Sequence, residues 1–285
     1  MPRARRVVSG SAGAAIAAAC ALLAATAYGV ASVLQAVGVA RASSGGALGA
    51  SLVREWRYLL GIGLDLLGFV AAVVALQRLP LFFVQAAAAG SVGITALVAA
   101  RWLGSALSPV EARAVVALIA GLVLLAAAAR PEPPTRLSDA GQWALLAGTT
   151  VALAGILGAA QRKNSAVLAV VAGLGFSGSA IGARSWVLPH SFTDLVTDPV
   201  SWALVLYGVL GAGAFAVALE HGRVTTVAAV TFVVETCLPA AVGLALLGDR
   251  PRAGLVPVAA VGFVLAIAAS LRLARYVEPA VRGPA

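Results

Sequence analysis

The amino-acid sequence predicts an all-α polytopic membrane protein of about nine transmembrane helices. Hydrophobic residues make up 61% of the 285 residues and charged residues only 11%, against about 25% charged in a typical globular protein. Several runs contain no charged side chain, and each is about as long as the roughly 20 residues that a helix needs to cross a bilayer. These runs cover residues 7–40, 79–100, 140–161, 164–183, 199–219 and 253–271.

The predicted spans follow these runs and the end signals between them. The first span follows Arg3, Arg5 and Arg6, and its apolar run continues to Ala40, beyond the roughly 7–15 residues of a cleaved signal peptide, so it is expected to be retained. All five tryptophans fall near predicted ends, as interfacial aromatics do. The spans are predicted at about 14–38, 58–76, 80–103, 110–129, 140–160, 164–187, 199–219, 223–247 and 253–273.

Acidic residues at three span starts have structural explanations. Ser108-Pro109-Val110-Glu111 has the pattern of a capping box with proline at the first helical position. Asp198-Pro199 predicts an N-cap followed by proline, and Asp139 with Gln142 predicts another cap. These acids are therefore not counted as functional.

Charge and cysteine content exclude several classes of function. The net charge is +9, but the basic residues are scattered through short connections and form no stripe typical of nucleic-acid binding. They are expected to meet anionic lipid headgroups. Cys20 and Cys237 both lie in apolar runs, without disulfide or metal-knuckle spacing. No cofactor and no nucleic-acid partner is predicted.

A weak internal repeat relates residues 75–129 to residues 218–271. Ala75-Leu76-Gln77 aligns with Ala218-Leu219-Glu220, and the proline-rich connection 130–139 separates the halves. The predicted organisation is a tail at 1–13, a first repeat at 14–129, a linker at 130–139, a second repeat at 140–273 and a tail at 274–285. Four helices before the linker and five after it predict an inverted-topology repeat, which is typical of secondary transporters.

Two acids are predicted to lie deep in a span, where a charge costs about 2.5–3.5 kcal/mol even on insertion scales. Asp65 shares a helix face with Gly61, Gly68 and Ala72, and this face is expected to pack closely against another helix. Glu235 lies near the middle of the eighth span, one turn after Thr231. We expect both carboxylates to bind a cation, a substrate or a coupling proton. An arginine partner or a proton held by burial would instead make either acid structural.

Neutral polar residues are predicted to line a polar cavity near mid-depth between the two repeats, where the binding sites of such transporters lie. Tyr28, Ser32 and Gln35 form a stripe on the first span, and Gln85, Ser91 and Thr95 lie on the third. Such hydroxyls often bond their own backbone or a neighbouring helix, so a structural role is an equal alternative. The candidate binding residues are Asp65, Glu235, Tyr28, Gln35, Gln85, Ser91, Thr95 and Thr231, with Asp65 and Glu235 as candidate metal ligands.

Gly173-Leu174-Gly175-Phe176-Ser177-Gly178 matches a dinucleotide-binding pattern, but it lies inside a predicted span with no preceding strand. These glycines are interpreted as a helix-packing surface or a helix break.

Short motifs over about residues 14–273 carry a family resemblance. They include Trp56-Arg57-Tyr58, the run from Gly63 to Phe69, Val84-Gln85, Leu103-Gly104, Gly121 and Leu247-Gly248-Asp249-Arg250. The pattern resembles the drug/metabolite transporter superfamily with its EamA-type repeats, and most closely the nine-helix NIPA-type magnesium transporters. The chain differs from that type in carrying Asp65 and Gly68 where those proteins carry Glu and Asn. The resemblance implies an alternating-access transporter, with magnesium as one possible cargo.

The function expected from these observations is secondary transport of a small solute or cation by a multi-pass protein of the cell membrane. An organic solute coupled to protons fits the residues as well as magnesium does. A non-transporting membrane scaffold and a membrane-embedded enzyme are the alternatives. The enzyme is disfavoured because no nucleophile, base and orienting residue can be identified as a set. The expected partners are the substrate, the lipid bilayer and a second copy of the chain.

Overall fold

The computed structural model describes the backbone of residues 2–42, 55–102, 107–187, 191–222 and 224–282. Side chains are described for 13–38, 41, 55–102, 107–187, 191–222 and 226–275. Helices dominate these parts of the chain, and no strand occurs in them; Ala129 and Pro251 form an isolated bridge. The helices are α1 (Pro2–Ala42), α2 (Trp56–Leu76), α3 (Leu81–Ala89), α4 (Ser91–Trp102), α5 (Pro109–Ala128), α6 (Asp139–Gln161), α7 (Ser165–Ser185), α8 (Phe192–Thr197), α9 (Pro199–His221), α10 (Val224–Ala245) and α11 (Val256–Arg282).

Nine spans in the described part are long and apolar enough to cross a membrane. The third consists of α3 and α4 together, over Leu81–Trp102, whereas α8 is too short to be one. Within the parts of the chain that the structure describes, the all-helical, multi-pass prediction is therefore confirmed. The tails predicted at 1–13 and 274–285 include helical continuations, because α1 begins at Pro2 and α11 ends at Arg282.

Two of the three predicted helix caps are confirmed. The Ser108 amide donates to Glu111 Oε2 at 3.0 Å and the Glu111 amide donates to Ser108 Oγ at 3.4 Å, as a capping box requires. The Asp198 side chain accepts from the Val200 amide, with Pro199 at the start of α9. The prediction for α6 is wrong by one residue.

The cap of α6 is Ser138, whose Oγ accepts from the Gly141 amide at 3.2 Å. Asp139 is the first residue of that helix. The Gln142 amide group donates instead to the Leu137 carbonyl at 2.9 Å. Serine and aspartate are about equally good N-caps. With Ser138 and Asp139 adjacent, the sequence does not indicate which of the two caps the helix.

The third span is interrupted at Gly90, a break that the sequence analysis did not predict. The Gly93 amide donates to the Gly90 carbonyl at 2.9 Å, which is the tighter spacing of a 3₁₀ turn. A Cβ atom at position 90 would lie 2.9 Å from the Ala87 carbonyl oxygen and 3.1 Å from Leu122 Cδ1. The break therefore has room only for glycine.

The described chain forms two compact units, and each is considered by itself. Unit 1 contains residues 1–75, 86–128 and 254–285, and unit 2 contains residues 76–85 and 129–253. In unit 1, α5 packs against α11. A Cβ at Gly121 would lie 2.8 Å from the Gly262 carbonyl oxygen, so only glycine allows these backbones to approach so closely.

In unit 2, α7 packs against α6, α9 and α10. A Cβ at Gly175 would lie 2.6 Å from Gly211 Cα, and one at Gly178 would lie 2.6 Å from the Tyr207 ring. The glycines of the apparent dinucleotide motif therefore form helix-packing surfaces, and the interpretation as packing is confirmed.

The two units do not follow chain order, because the last helix belongs with the first half of the chain. The inverted repeat concerns superposition of the halves, which this packing does not test, so it stays a prediction. Of the connection predicted at 41–57, residues 43–54 lie outside the described residues, as does Leu103-Gly104. The linker 130–138 has no regular structure.

Candidate membrane-embedded site

The candidate binding residues fall into one group in each unit. Unit 1 holds Tyr28, Gln35, Asp65, Ser91 and Thr95, and unit 2 holds Gln85, Thr231 and Glu235. Their arrangement around one central cavity stays a prediction. Each group is described within its own unit.

Asp65 lies near the middle of α2 on the face that packs into unit 1. Gly61, Gly68 and Ala71 on this face are buried, whereas Leu66 and Val70 on the other side are exposed. A Cβ at Gly61 would lie 2.6 Å from Gln35 Cγ, and one at Gly68 would lie 2.9 Å from the Tyr28 ring. The predicted close packing of this small-residue face is therefore confirmed, with α1 as the partner helix.

The Gln35 side chain supplies the one hydrogen bond that reaches the Asp65 carboxylate from the described residues. Gln35 Nε2 donates to Asp65 Oδ2 at 2.5 Å. No described arginine or lysine lies within ion-pair distance of this carboxylate. Asp65 thus has a neutral donor but no counter-ion.

Two hydroxyls of the predicted polar stripes in unit 1 have main-chain partners. Thr95 Oγ1 donates to the Gly29 carbonyl at 3.1 Å and to the Ser91 carbonyl at 3.0 Å. Ser32, which belongs to the predicted stripe on α1, is exposed and donates to the Tyr28 carbonyl at 2.8 Å. The hydroxyls of Thr95 and Ser32 thus bond to the backbone, which is the structural role that the sequence analysis left open. A binding role for Thr95 and Ser91 stays a prediction.

Glu235 lies near the middle of α10 on its buried face. Thr231 and Pro239, one turn before and one turn after it, are both buried. Among the described residues, no donor or cation is bonded to the Glu235 carboxylate. Glu235 is therefore a partly exposed acid on an otherwise buried helix face, with no structural partner in the described part of the chain.

Pro239 changes the hydrogen bonding of α10 at the same place. A proline has no amide hydrogen, so the carbonyl four residues earlier, that of Glu235, loses its helical donor. Gln85 Nε2 replaces this donor and reaches the Glu235 carbonyl oxygen at 2.7 Å. Gln85 is thus hydrogen-bonded to the main chain of α10 at Glu235, the residue that also carries the carboxylate. The sequence analysis missed Pro239, although its spacing from Glu235 could have revealed the relation.

The two neighbouring turns of α10 are tied to α7. Thr231 Oγ1 donates to the Ala169 carbonyl at 3.0 Å, and Ser177 Oγ donates to the Val234 carbonyl at 3.2 Å. Thr231 shares the buried face with Glu235 as predicted, but its hydroxyl proton is used in helix packing.

Unit 2 also contains a buried ion pair that the sequence analysis missed. Arg184 Nη2 and Nε donate to Asp249 Oδ1 at 2.7 and 3.0 Å, and the two side chains are 1% and 0% exposed. Arg184 Nη1 donates to the Leu76 carbonyl at 2.9 Å and to the Glu132 carbonyl at 3.3 Å. Asp249 Oδ2 accepts from the Leu81 amide at 2.7 Å.

This network accounts for the Leu-Gly-Asp motif that carries part of the family resemblance. Gly248 adopts a φ of 72°, which favours glycine, and brings Asp249 back towards the end of α10, where its amide donates to the Gly243 carbonyl. The one sequence signal for this ion pair was that Arg184 directly follows the charge-free run 164–183. That signal does not say which acid it meets.

No group of three or more His, Cys, Asp and Glu side chains that could hold a metal ion occurs within the part of the chain that the structure describes. Asp65 and Glu235 belong to different units. Within its own unit, a cation bound by either acid would take its remaining ligands from amide or carbonyl oxygens, from water or from the cargo itself.

Comparisons with family models, with curated proteins and with solved structures gave no match to this chain. The resemblance to the drug/metabolite transporter superfamily therefore rests on the sequence motifs.

Proposed function

We propose that this protein is a secondary transporter of the drug/metabolite transporter type, which moves a small solute or cation across the cell membrane by alternating access. The observation that carries the proposal is the presence of two acids, Asp65 and Glu235, in the middle of membrane helices without a counter-ion among the described residues.

Two buried acids in the described chain show what a structural role looks like. Asp249 has an arginine and a main-chain amide as partners. Glu111 caps α5 and pairs with Arg272 at 3.1 Å. Among the described residues, Asp65 has only a neutral amide as partner, and the Glu235 carboxylate has neither a donor nor a cation. Intramembrane acids are costly, so acids without a counter-ion favour a functional explanation.

A break in one span and a proline inside another support the same proposal. The third span is broken at Gly90, and the eighth contains Pro239. In the proposed inverted repeat, these two spans correspond to each other. Helix irregularities supply main-chain groups to the binding sites of secondary transporters, and both of these positions lie near candidate residues in sequence.

The residues favour a cargo that carries positive charge or exchanges for it. Carboxylate and amide oxygens are suitable ligands for Mg²⁺, which usually keeps several waters and so needs few protein ligands. An organic solute exchanged for protons makes the same demand on the two carboxylates. Magnesium and proton-coupled organic solutes are the two cargo classes to compare.

Uptake into liposomes that contain the purified full chain tests the proposal. Magnesium entry is followed with an internal fluorescent indicator, and a panel of labelled organic solutes is offered with and without a proton gradient. We expect uptake of one class above that of empty liposomes, and we expect Asp65→Asn to abolish it. Asp194→Asn, which changes an exposed acid on α8, is the matched control and should transport as the unmodified chain does.

Two results would count against the proposal. Absence of uptake for every cargo, with protein that is correctly folded, would contradict transport. Undiminished uptake by Asp65→Asn would remove Asp65 from the mechanism.

A further inference from the structure

The polar side chains around the middle of α10 are already committed to main-chain carbonyls. Gln85 donates to the carbonyl of Glu235, Ser177 to that of Val234 and Thr231 to that of Ala169. The first of these bonds exists because Pro239 leaves a carbonyl without its helical donor. These three side chains therefore donate to the backbone, and among the described residues none of them is bonded to the Glu235 carboxylate.

An ionised carboxylate in a region of low dielectric needs hydrogen-bond donors or a counter-ion. Glu235 has neither among the described residues. The residue as a whole is nevertheless of intermediate exposure, so its surroundings do not enclose it completely. A neutralising partner for Glu235 must then arrive and leave, and the smallest such partner is a proton.

Other titratable groups on the helices around Glu235 are few. On α7 the one charged residue is Arg184, which is held by Asp249. On α9 these groups are Tyr207 and, at the end of the helix, Glu220 and His221, and α3 has none. On α10 itself Cys237 is the only other titratable side chain. No second carboxyl group therefore lies in the interior of these helices.

Asp65 differs from Glu235 in one respect that bears on the division of roles. Its carboxylate accepts a hydrogen bond from a dedicated donor, Gln35, whereas the Glu235 carboxylate has no donor among the described residues. The two acids are thus differently equipped, although both lie near the middle of a span.

We infer that Glu235 is a reversible proton-binding site of the transport cycle, whereas Asp65 serves the cargo. The inference rests on the proposed transport function. In the step itself, the carboxylate takes a proton from water on one side of the membrane and becomes a carboxylic acid. It returns the proton to water on the other side when the cargo is exchanged. Gln85 keeps the α10 backbone intact at this point and takes no part in the transfer.

A pH jump with the proton as the only probe tests the inference without knowledge of the cargo. Proteoliposomes that contain the full chain are adsorbed on a solid-supported membrane, and the transient current is recorded when the external pH is lowered. We expect a current from the unmodified chain and its loss in Glu235→Gln, which keeps the size of the side chain but cannot bind the proton. Glu220→Gln, which changes an exposed acid at the end of α9, should keep the current.

Two further variants protect the test against misfolding and misassignment. Glu235→Asp retains a titratable group and should restore a current with a shifted pH midpoint. Asp65→Asn should keep the current while losing cargo uptake. The inference is overturned if the unmodified chain gives no current, if Glu235→Gln keeps it, or if Asp65→Asn alone removes it.

The result is distinguishable from failure of the proposed function. A current that depends on Glu235, together with no uptake of any cargo, would keep the proton site and reject transport. Uptake that depends on Asp65, together with a pH response independent of Glu235, would keep transport and reject the proton site.

Discussion

Replacing Arg184 with methionine should destabilise the protein strongly, because this residue connects several segments of unit 2. Its guanidinium binds the Asp249 carboxylate twice and also binds the carbonyls of Leu76 and Glu132. Both charged side chains are almost completely buried. Methionine is unbranched and uncharged but shorter than arginine, so the variant removes the charged group and its hydrogen bonds while it keeps the apolar stem of the side chain.

The expected magnitude follows from what the variant leaves behind. Removal of one partner of a buried ion pair costs about 3–5 kcal/mol, because the other charge stays buried without compensation. The two carbonyls that lose a charged donor add to this cost if water cannot reach them. We therefore expect a loss of at least ~3 kcal/mol for Arg184→Met.

Arg130→Gln is the matched control. It removes an arginine from an ion pair with Glu132 whose side chains are 63% and 27% exposed. Exposed pairs contribute about 0–1 kcal/mol. The two variants remove the same kind of charge from the same unit, so their difference isolates burial.

Thermal unfolding of the full chain in detergent, followed by the fluorescence of its tryptophans, measures the effect. For soluble proteins of about 150–250 residues, 1 kcal/mol corresponds to roughly 2–4 °C. The expected loss of ~3 kcal/mol for Arg184→Met then lowers the midpoint by about 6–12 °C. A shift no larger than that of Arg130→Gln would refute the reasoning.

A double variant checks that uncompensated charge is the cause. Arg184→Met combined with Asp249→Leu removes both buried charges and should be more stable than Arg184→Met alone. If the two changes simply add, the loss comes from packing and the electrostatic explanation is wrong.

Two further predictions concern the helices that carry the candidate acids. Gln85→Leu should lower the free energy of unfolding by about 1–3 kcal/mol, because the Glu235 carbonyl, which Pro239 leaves without a helical donor, loses its replacement donor. In a Pro239→Ala background the loss should be smaller. Equal losses in a double-mutant cycle of unfolding would contradict this explanation. Gly61→Ala should lower the thermal midpoint, because the new Cβ would lie 2.6 Å from Gln35 Cγ. Gly63→Ala is the control on the same helix, because its new Cβ would have no atom within 4 Å. It should raise the thermal midpoint, since alanine is favoured over glycine in a helix by roughly 1 kcal/mol. Equal shifts of the midpoint in the two variants would show that the contact between the helices at Gly61 is not tight.

Local patterns predicted most of the architecture. Each span can be recognised from the length of its own apolar run. The nine spans in the described residues therefore agree with the predicted ones to within a few residues. The capping box at Ser108 and Glu111 was predictable because its two hydrogen bonds involve residues three apart. The face of Asp65 was predictable because glycines at helical spacing mark where another helix can approach.

Features that need the placement of distant segments were not predictable. The choice of Ser138 over Asp139 as the α6 cap depends on the path by which the linker enters the helix. At Gly90, a Cβ atom would lie 3.1 Å from Leu122 Cδ1, and Leu122 belongs to another helix, so the need for glycine there is visible only in the packed structure. A glycine inside an apolar run is equally compatible with a continuous span, so the sequence could not select one outcome.

By itself the sequence determined that the chain is a helical membrane protein and that Asp65 and Glu235 lie in the middle of spans, because bilayer thickness imposes a length that can be counted along the chain. Tertiary structure alone decided which charges have partners. Arg184 meets Asp249 across 65 residues and Gln85 meets the Glu235 carbonyl across 150, whereas no described cation meets Asp65 or Glu235. Electrostatic compensation depends on distance in space, and several helices must pack before those distances exist.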